Sequence, residues 1–145
     1  IPGYIYAQHD NELFVNLFGN SHSNISINHQ QIAIAQQNNY PWEGGLHFTV
    51  SPQKSNATFV LKLRIPGWVR DEAMPSDLYF YNTKLHQKVL ININGQPYEY
   101  AVDNGYAVIN RTWKKNDQVE MVLPMDVRKV YASENVKDDI GKVPV

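Results

Sequence analysis

The sequence contains no cysteine, and this absence removes several classes of function at once. Disulfide bridges, thiolate zinc sites and cysteine nucleophiles all need a thiol. The sequence also lacks an apolar run of the roughly 20 residues needed to cross a bilayer, so no membrane partner is predicted. Its 13 Lys and Arg residues nearly balance 14 Asp and Glu residues, for a net charge of -1. Nucleic acid and anionic membranes are therefore poor partners.

A helical pattern is also missing, because no stretch sustains a 3.6-residue apolar period over three turns. What is present is a period of two, clearest where apolar side chains recur at Phe59, Leu61, Leu63 and Ile65 while the charged Lys62 and Arg64 occupy alternate positions. This alternation is typical of a strand with one buried face. Pro66 cannot donate to a strand ladder and Gly67 tolerates unusual backbone angles, so the strand ends there. We expect Trp68 to fold back over the core.

The same alternation recurs between turn-forming residues along the chain, which predicts an all-β domain. Strands are expected at residues 4–8, 12–18, 25–27, 32–34, 46–50, 89–93, 98–102, 106–109, 119–123 and 127–132. Asn94-Gly95 is the strongest hairpin signal, and the four isoleucines of an earlier hairpin are expected to face the core. With about ten strands, the predicted architecture is a single antiparallel β-sandwich of jelly-roll type over residues 1–145.

Two segments allow more than one interpretation. Residues 78–81 are either an inserted strand or an aromatic flap over an exposed sheet. Residues 133–145 are charged and broken by Gly141 and Pro144, and we expect them to lead into a next domain. The start of the chain is neither a signal peptide nor an initiator Met, which favours a fragment of a larger multidomain protein. A bacterial cytoplasm, periplasm or exterior all remain open as its compartment, and the domain is expected to be soluble.

The side chains that usually carry chemistry do not form a recognisable site. The five histidines fall mostly in predicted turns without a metal-ligand spacing, and no Gly-x-Ser-x-Gly elbow surrounds a serine. Adjacent carboxylates such as Asp71-Glu72 lie in loops, where solubilising charge is the simpler interpretation. We predict no catalytic residue, no cofactor and no metal ligand in this chain.

Aromatic side chains are the one suggestive group, because exposed rings can stack on sugars. Trp68 and Trp113 each follow a predicted strand, so plugging the ends of the sandwich is the favoured role for both. Trp42 lies in a loop bounded by proline and glycine and is open to three roles: packing, an interdomain contact or a ligand contact. Tyr40, Trp42 and Trp113 are the candidate residues for an interface or a sugar contact.

Five ordered motifs carry a resemblance to a known family. They are Tyr40-Pro41-Trp42-Glu43-Gly44, the stretch from Leu63 to Trp68, Ile93-Asn94-Gly95, Gly105-Tyr106 with Arg111-Thr112-Trp113, and the stretch from Leu123 to Arg128. In this order the chain resembles the C-terminal β-sandwich region of the β-L-arabinofuranosidases, glycoside hydrolase family 127. The segment from Met74 to Gln87 is longer than the family's usual link between the Pro-Gly-Trp segment and the Asn-Gly hairpin.

The resemblance implies a larger parent enzyme whose catalytic (α/α)6 barrel carries a cysteine nucleophile beside a zinc ion. None of those residues maps onto this cysteine-free chain. The predicted function is a non-catalytic accessory sandwich that supports the barrel of the same polypeptide and helps wall its cleft. Two alternatives stay open: an autonomous carbohydrate-binding module, and a structural sandwich that binds protein.

Overall fold

The computed structural model describes residues 2–54 and 56–136. A single helical turn, α1 (Pro2–Ile5), and a 3₁₀ turn, Gly67–Arg70, are the helical elements of this part of the chain. Its strands are β1 (Tyr6–His9), β2 (Glu12–Val15), β3 (Ser21–Ile27), β4 (Gln30–Asn38), β5 (Gly45–Pro52), β6 (Ala57–Arg64), β7 (Tyr79–Tyr81), β8 (Leu90–Ile93), β9 (Gln96–Pro97), β10 (Ala101–Asp103), β11 (Tyr106–Trp113), β12 (Asp117–Val122) and β13 (Val130–Ala132). No helix within the described ranges is long and apolar enough to cross a membrane.

Two main sheets face each other across one core, which confirms the predicted all-β sandwich. The first sheet has the order β1-β2-β6-β11-β10, and the second has the order β3-β4-β5-β12-β8-β9. A third, two-stranded sheet pairs β7 with β13. The inward side chains of both main sheets form one hydrophobic cluster in which Phe48, Phe59 and Trp113 are the largest buried members.

The central strand β6 behaves as its alternation predicts. Phe59, Leu61 and Leu63 have no exposed surface, and Ile65 is 4% exposed. The wet face carries Lys62, whose ammonium group lies 3.0 Å from a Glu12 carboxylate oxygen and 3.2 Å from one of Asp103. These two carboxylates, Glu12 first, raise the pKa of Lys62. The alternation thus places apolar groups in the core and an ion-paired lysine on the outer face of the same strand.

The structure departs from the predicted strands in several places. Residues 4 and 5 belong to α1, so β1 begins at Tyr6. Strand β2 runs parallel to β6, which an all-antiparallel sandwich does not contain. Ile25 is half-buried, whereas the other three isoleucines of its hairpin are buried. The described residues form 13 strands where about ten were predicted; the additional ones are β7, which the sequence left open as an alternative, and β9, whose two residues are too few to show alternation.

The predicted return strand at 98–102 is two short strands in different sheets. Strand β9 pairs with β8 in the six-stranded sheet, while β10 pairs with β11 in the five-stranded sheet. Residues 98–100 cross from one sheet to the other, and the Tyr100 hydroxyl donates to the Val89 carbonyl at 2.7 Å. Burial raises the pKa of this tyrosine. The switch carries the chain from one sheet to the other along one side of the sandwich, from β9 to β10.

Residues 79–81 form a strand, which resolves the alternatives for the aromatic run at 78–81 in favour of the inserted strand. Strands β7 and β13 make an antiparallel pair, called here the β7–β13 ribbon, with Phe80 stacked on Tyr131 at 6.1 Å. Arg128 fixes the ribbon to the sandwich. Its guanidinium lies 3.7 Å from the Tyr81 ring centre, pairs with Asp71 and donates to the Trp68 carbonyl. Residues 137–145 of the predicted tail lie outside the described residues.

Candidate functional site

The two ends of the sandwich differ sharply in chemistry. One end, called here the turn end, consists of tight connections at residues 10–11, 28–29, 94–95 and 114–116. Five polar residues in these connections, Asp10, Asn28, His29, Asn94 and Asn116, have positive φ, and the Asn28 amide bridges the sheets by donating to Asn11 at 2.7 Å. None of the exposed large apolar side chains in the described ranges belongs to this end.

The opposite end, called here the cleft end, is built from segments 16–18, 39–44, 66–70 and 123–127. Strand pairing places them together, since β2 and β6 end here while β5 begins where β4 and β12 end. Three contacts join the two sheets at this end. The Tyr6 hydroxyl is 2.9 Å from the Ser21 hydroxyl, Gln36 donates to the Leu17 carbonyl at 3.2 Å, and the Phe18 and Tyr40 rings meet edge-to-face at 5.7 Å.

A cleft of about 320 Å³ lies at this end. Its lining is largely aromatic or apolar: Asn16, Leu17, Phe18, Tyr40, Arg64, Pro66, Gly67 and Trp68. Tyr40 is half-buried and packs edge-to-face on Phe18, whose ring in turn meets Phe48 of the core. Trp68 is also only partly buried, so it packs against the core as expected and lines the cleft with the rest of its ring.

The loop 39–44 carries the most exposed indole of the described residues. Trp42 is 82% exposed, although the backbone around it is well held. The Trp42 and Glu43 amides donate to the Asn39 carbonyl at 2.9 and 3.2 Å, and the Asn39 side chain donates to the Glu43 carboxylate at 3.2 Å. The Tyr40-Pro41 peptide bond is cis. A defined loop therefore presents a bare tryptophan to the surroundings.

The loop is anchored against the segment that follows β12. The Leu123 amide donates to the Gly44 carbonyl at 2.9 Å, and a Cβ at Gly44 would lie 2.1 Å from the Leu123 carbonyl oxygen. Only glycine fits so close to a carbonyl. Beyond Leu123, Met125 is 42% exposed and Val127 is 84% exposed. Trp42, Leu17, Met125 and Val127 thus make the cleft end an apolar surface.

Trp113 does not belong to this surface, which corrects its place among the candidate contact residues. Its side chain has no exposed surface, its indole N–H donates to the Phe59 carbonyl at 3.1 Å, and its ring stacks on Phe59 at 5.5 Å. A ring in this position cannot reach a sugar or another domain. The signal for burial was present in the sequence, because Trp113 continues the alternation of Ala107 and Ile109 along β11.

Electrostatic contacts connect the β7–β13 ribbon to the cleft end. The Asp71 carboxylate accepts the Leu85 amide at 3.0 Å and an Arg128 N–H at 2.5 Å. The Leu85 hydrogen bond, followed by Arg128, lowers the pKa of Asp71. Phe80 and Leu78 remain 47% and 40% exposed on the ribbon.

The sequence pattern did not identify Leu17, Met125 or Val127, because an isolated apolar residue beside a turn carries no periodic signal.

A second, larger groove of about 510 Å³ follows the open side of the sandwich where the chain switches sheets. Leu90 and Val102 form exposed parts of its wall, and Tyr98 and Tyr100 lie between them. The groove brings together no set of groups with a recognisable reaction. Within residues 2–54 and 56–136, no three His, Asp or Glu side chains converge as a metal site would require.

Known proteins share this fold and these sequence motifs. A family model described as the middle domain of GH127 β-L-arabinofuranosidases matches residues 12–125. The chain belongs to this family. The matched range starts at β2 and ends in the cleft-end segment after β12, so it contains both main sheets apart from β1. The resemblance seen in the sequence motifs is thereby confirmed.

Individual GH127 relatives agree with the family match. The chain is 29% identical over 120 residues to a non-reducing end β-L-arabinofuranosidase of Bifidobacterium longum subsp. longum, covering 79% of this chain and 15% of the relative. The structure of the GH127 β-arabinofuranosidase BT3674 superimposes with a TM-score of 0.89 at 38% identity, over 98% of this chain and 22% of that one.

A further solved structure, a GH127 β-L-arabinofuranosidase from Geobacillus stearothermophilus T6, gives a TM-score of 0.79 at 34% identity. The match covers 97% of this chain and 20% of that chain. This GH127 middle domain therefore corresponds to about a fifth of the full length of its structurally similar relatives, and most of each relative lies outside the matched region.

Proposed function

We propose that this domain is a non-catalytic accessory sandwich of a GH127 glycoside hydrolase and that its cleft end docks against the catalytic domain of the same polypeptide. The observation that carries the proposal is the contrast between the ends. Polar turns close one end, while the other exposes Trp42 at 82% and Val127 at 84%. Exposed apolar surface of this kind marks interaction sites in soluble proteins.

The construction of the loop 39–44 supports a docking role. Two backbone hydrogen bonds and one side-chain hydrogen bond within the loop hold its conformation, so Trp42 loses little conformational freedom when a partner covers it. Tryptophan is also among the residues that contribute most to interface affinity when buried in a partner. Because most of each relative's chain lies outside the matched region, a covalently attached partner domain is the natural occupant.

The catalytic chemistry belongs to the other part of the enzyme in this proposal. The family resemblance implies a cysteine nucleophile and a zinc ion in a helical barrel, and this chain has no cysteine to contribute. We expect the 145-residue chain to hydrolyse no aryl β-L-arabinofuranoside, with or without added zinc. Turnover that copurifies with the chain through successive columns would contradict the proposal.

The docking role is tested by Trp42→Ala in two settings. In the 145-residue chain, the substitution should leave the urea midpoint nearly unchanged, because the ring contacts little of the domain. In the full-length enzyme, it should weaken domain coupling, measured as a lower thermal midpoint of the catalytic domain and faster protease cleavage between the domains. His9→Ala is the matched control, since the His9 ring is 78% exposed and lies beside the turn-end connection at residues 10–11.

Unchanged coupling in full-length Trp42→Ala would reject the docking role of the loop.

A second candidate, an autonomous carbohydrate-binding module, is favoured by one observation: the exposed indole lies in the same loop as Tyr40, which lines an aromatic cleft. Titration of the 145-residue chain with arabinofuranosyl oligosaccharides separates the two proposals. Chemical-shift changes confined to the cleft end, abolished by Trp42→Ala, would favour the binding module.

A further inference from the structure

The chain contains two Asn-Gly turns that have nearly the same backbone. Asn94 and Gly95 have φ angles of 51° and 77°, and Asn104 and Gly105 have φ angles of 48° and 82°. Each pair forms the two-residue connection of an antiparallel hairpin, between β8 and β9 and between β10 and β11. Both asparagines are exposed. The two turns therefore differ mainly in what their side chains contact.

The Asn94 side chain is held at both of its polar atoms. Its amide nitrogen donates to Asp117 at 2.9 Å, and its amide oxygen accepts the Gln118 backbone N–H at 2.9 Å. Asp117 is itself fixed, because it is 5% exposed, pairs with Arg111 at 3.4 Å and accepts the Lys114 amide at 2.8 Å. Releasing the Asn94 side chain would break two contacts and leave a buried carboxylate short of a partner.

The Asn104 side chain has a single anchor. Its amide nitrogen donates to the exposed carboxylate of Asp103 at 2.9 Å, and its amide oxygen accepts no hydrogen bond from the described residues. The Asp103 carboxylate keeps its ion pair with Lys62 whether or not Asn104 stays bound. Breaking this one hydrogen bond is therefore enough to let the side-chain carbonyl carbon (Cγ) of Asn104 rotate toward the backbone nitrogen of Gly105.

We propose that Asn104 is a site of spontaneous covalent modification, deamidating through a succinimide far faster than Asn94. The Gly105 backbone nitrogen attacks Cγ of Asn104, a new C–N bond forms, the Cγ–Nδ2 bond breaks, and ammonia leaves with the Gly105 amide proton. Water then opens the ring to aspartate or isoaspartate. Glycine favours this step because it has no side chain to obstruct the attack, and this holds for both turns, so the hydrogen bonds decide between them.

The difference in anchoring sets the expected ratio of rates. Attack requires the side chain to leave its native contacts, and Asn94 must give up one hydrogen bond more than Asn104, from a better-buried network. Loss of that additional bond corresponds to a native-state rate ratio of roughly tenfold. The product also changes the turn: isoaspartate adds a methylene to the backbone between Asp103 and Tyr106, beside the Gly105 carbonyl that accepts the Ile65 amide at 2.7 Å.

The experiment is an incubation of the 145-residue chain at mildly alkaline pH, followed by peptide mapping. Trypsin leaves both turns in one peptide, so a second cleavage after Glu99 is needed to separate them. Deamidation at each asparagine is quantified by its mass gain, and enzymatic methylation of isoaspartate gives an independent readout. The control is the same incubation in concentrated urea, where neither side chain keeps its native partners.

The proposal predicts a native ratio of at least several-fold in favour of Asn104 that falls toward one in urea. Equal native rates, or faster loss at Asn94, would overturn it. A ratio that persists unchanged in urea would also overturn it, because the preference would then come from neighbouring sequence and not from the fold. The Asp103→Ala variant adds a sharper measurement: removing the single anchor should accelerate deamidation at Asn104 and leave the rate at Asn94 unchanged.

Discussion

The three tryptophans offer a graded test of the structure, because one is buried, one half-buried and one exposed. Trp113→Ala removes a fully buried indole, which costs about 3–5 kcal/mol in packed cores. It also deprives the Phe59 carbonyl of the indole N–H, for about 1 kcal/mol more. We therefore expect the free energy of unfolding to fall by about 4–6 kcal/mol, a large share of the 5–15 kcal/mol typical of a domain.

Trp68→Ala should cost about half as much as the removal of a buried ring, about 2 kcal/mol, because part of the Trp68 ring lines the cleft. Trp42→Ala should change stability by less than about 0.5 kcal/mol. The assay is urea unfolding followed by far-ultraviolet circular dichroism, since the substitutions remove fluorescent probes. Equal slopes against urea would show that the comparison is between like states.

Because Trp113→Ala could leave too little folded protein to measure, Trp113→Phe is the companion variant. It keeps an aromatic ring beside Phe59 and loses the hydrogen bond and part of the volume, for about 2 kcal/mol. A larger destabilisation by Trp42→Ala than by either Trp113 variant would contradict this order of burial. A cost of less than about 0.5 kcal/mol for Trp113→Phe would also contradict it, since the indole would then not be part of the core.

Two further predictions concern the anchors of the cleft end. Gly44→Ala should destabilise the domain by at least about 2 kcal/mol in the same unfolding assay, because its Cβ would lie 2.1 Å from the Leu123 carbonyl oxygen; Gly19→Ala, with nothing within 4 Å, is the control and should be nearly neutral. Because the pKa of Asp71 is lowered in the folded chain, its contribution to stability is fully present above the unfolded pKa of about 3.9. That contribution is lost as the pH falls through the folded pKa. Acid should therefore release the β7–β13 ribbon, seen as a lower protection factor for the Tyr81 amide relative to an unfolded chain at the same pH, and Asp71→Asn should remove that acid sensitivity; a Tyr81 protection factor that stays constant as the pH falls would contradict this.

Much of the core was predictable because strand burial follows directly from alternation. Phe59, Leu61 and Leu63 are buried as their spacing indicates, and the Asn94-Gly95 turn has the two positive φ angles that a two-residue hairpin needs. These features are local, so neighbouring residues in the sequence suffice to determine them. Family membership was also predictable, since it depends on ordered motifs and not on the details of packing.

The failures involve features that depend on distant parts of the chain. The parallel pairing of β2 with β6 depends on which strands become neighbours in the sheet. The residues of β2 and β6 alone do not indicate this choice. The change of sheet at residues 98–100 interrupts what is an unbroken alternation in the sequence. The candidate site was predicted at Tyr40 and Trp42, but its other half around Met125 and Val127 is brought near only by the Gly44–Leu123 contact.

The order of strands in the sheets has a consequence for how this chain is made. Strands β5 and β6, between residues 45 and 64, each take a partner, β12 and β11, that is synthesised more than 40 residues later. Until those partners emerge from the ribosome, the first half of the domain exposes two apolar strand edges at once, which is where nascent β proteins aggregate. Pairings this far apart in sequence also place the domain among slow folders, on the order of milliseconds to seconds. Truncation between residues 64 and 106, after β6 and before β11, should therefore yield insoluble protein and not a smaller sandwich.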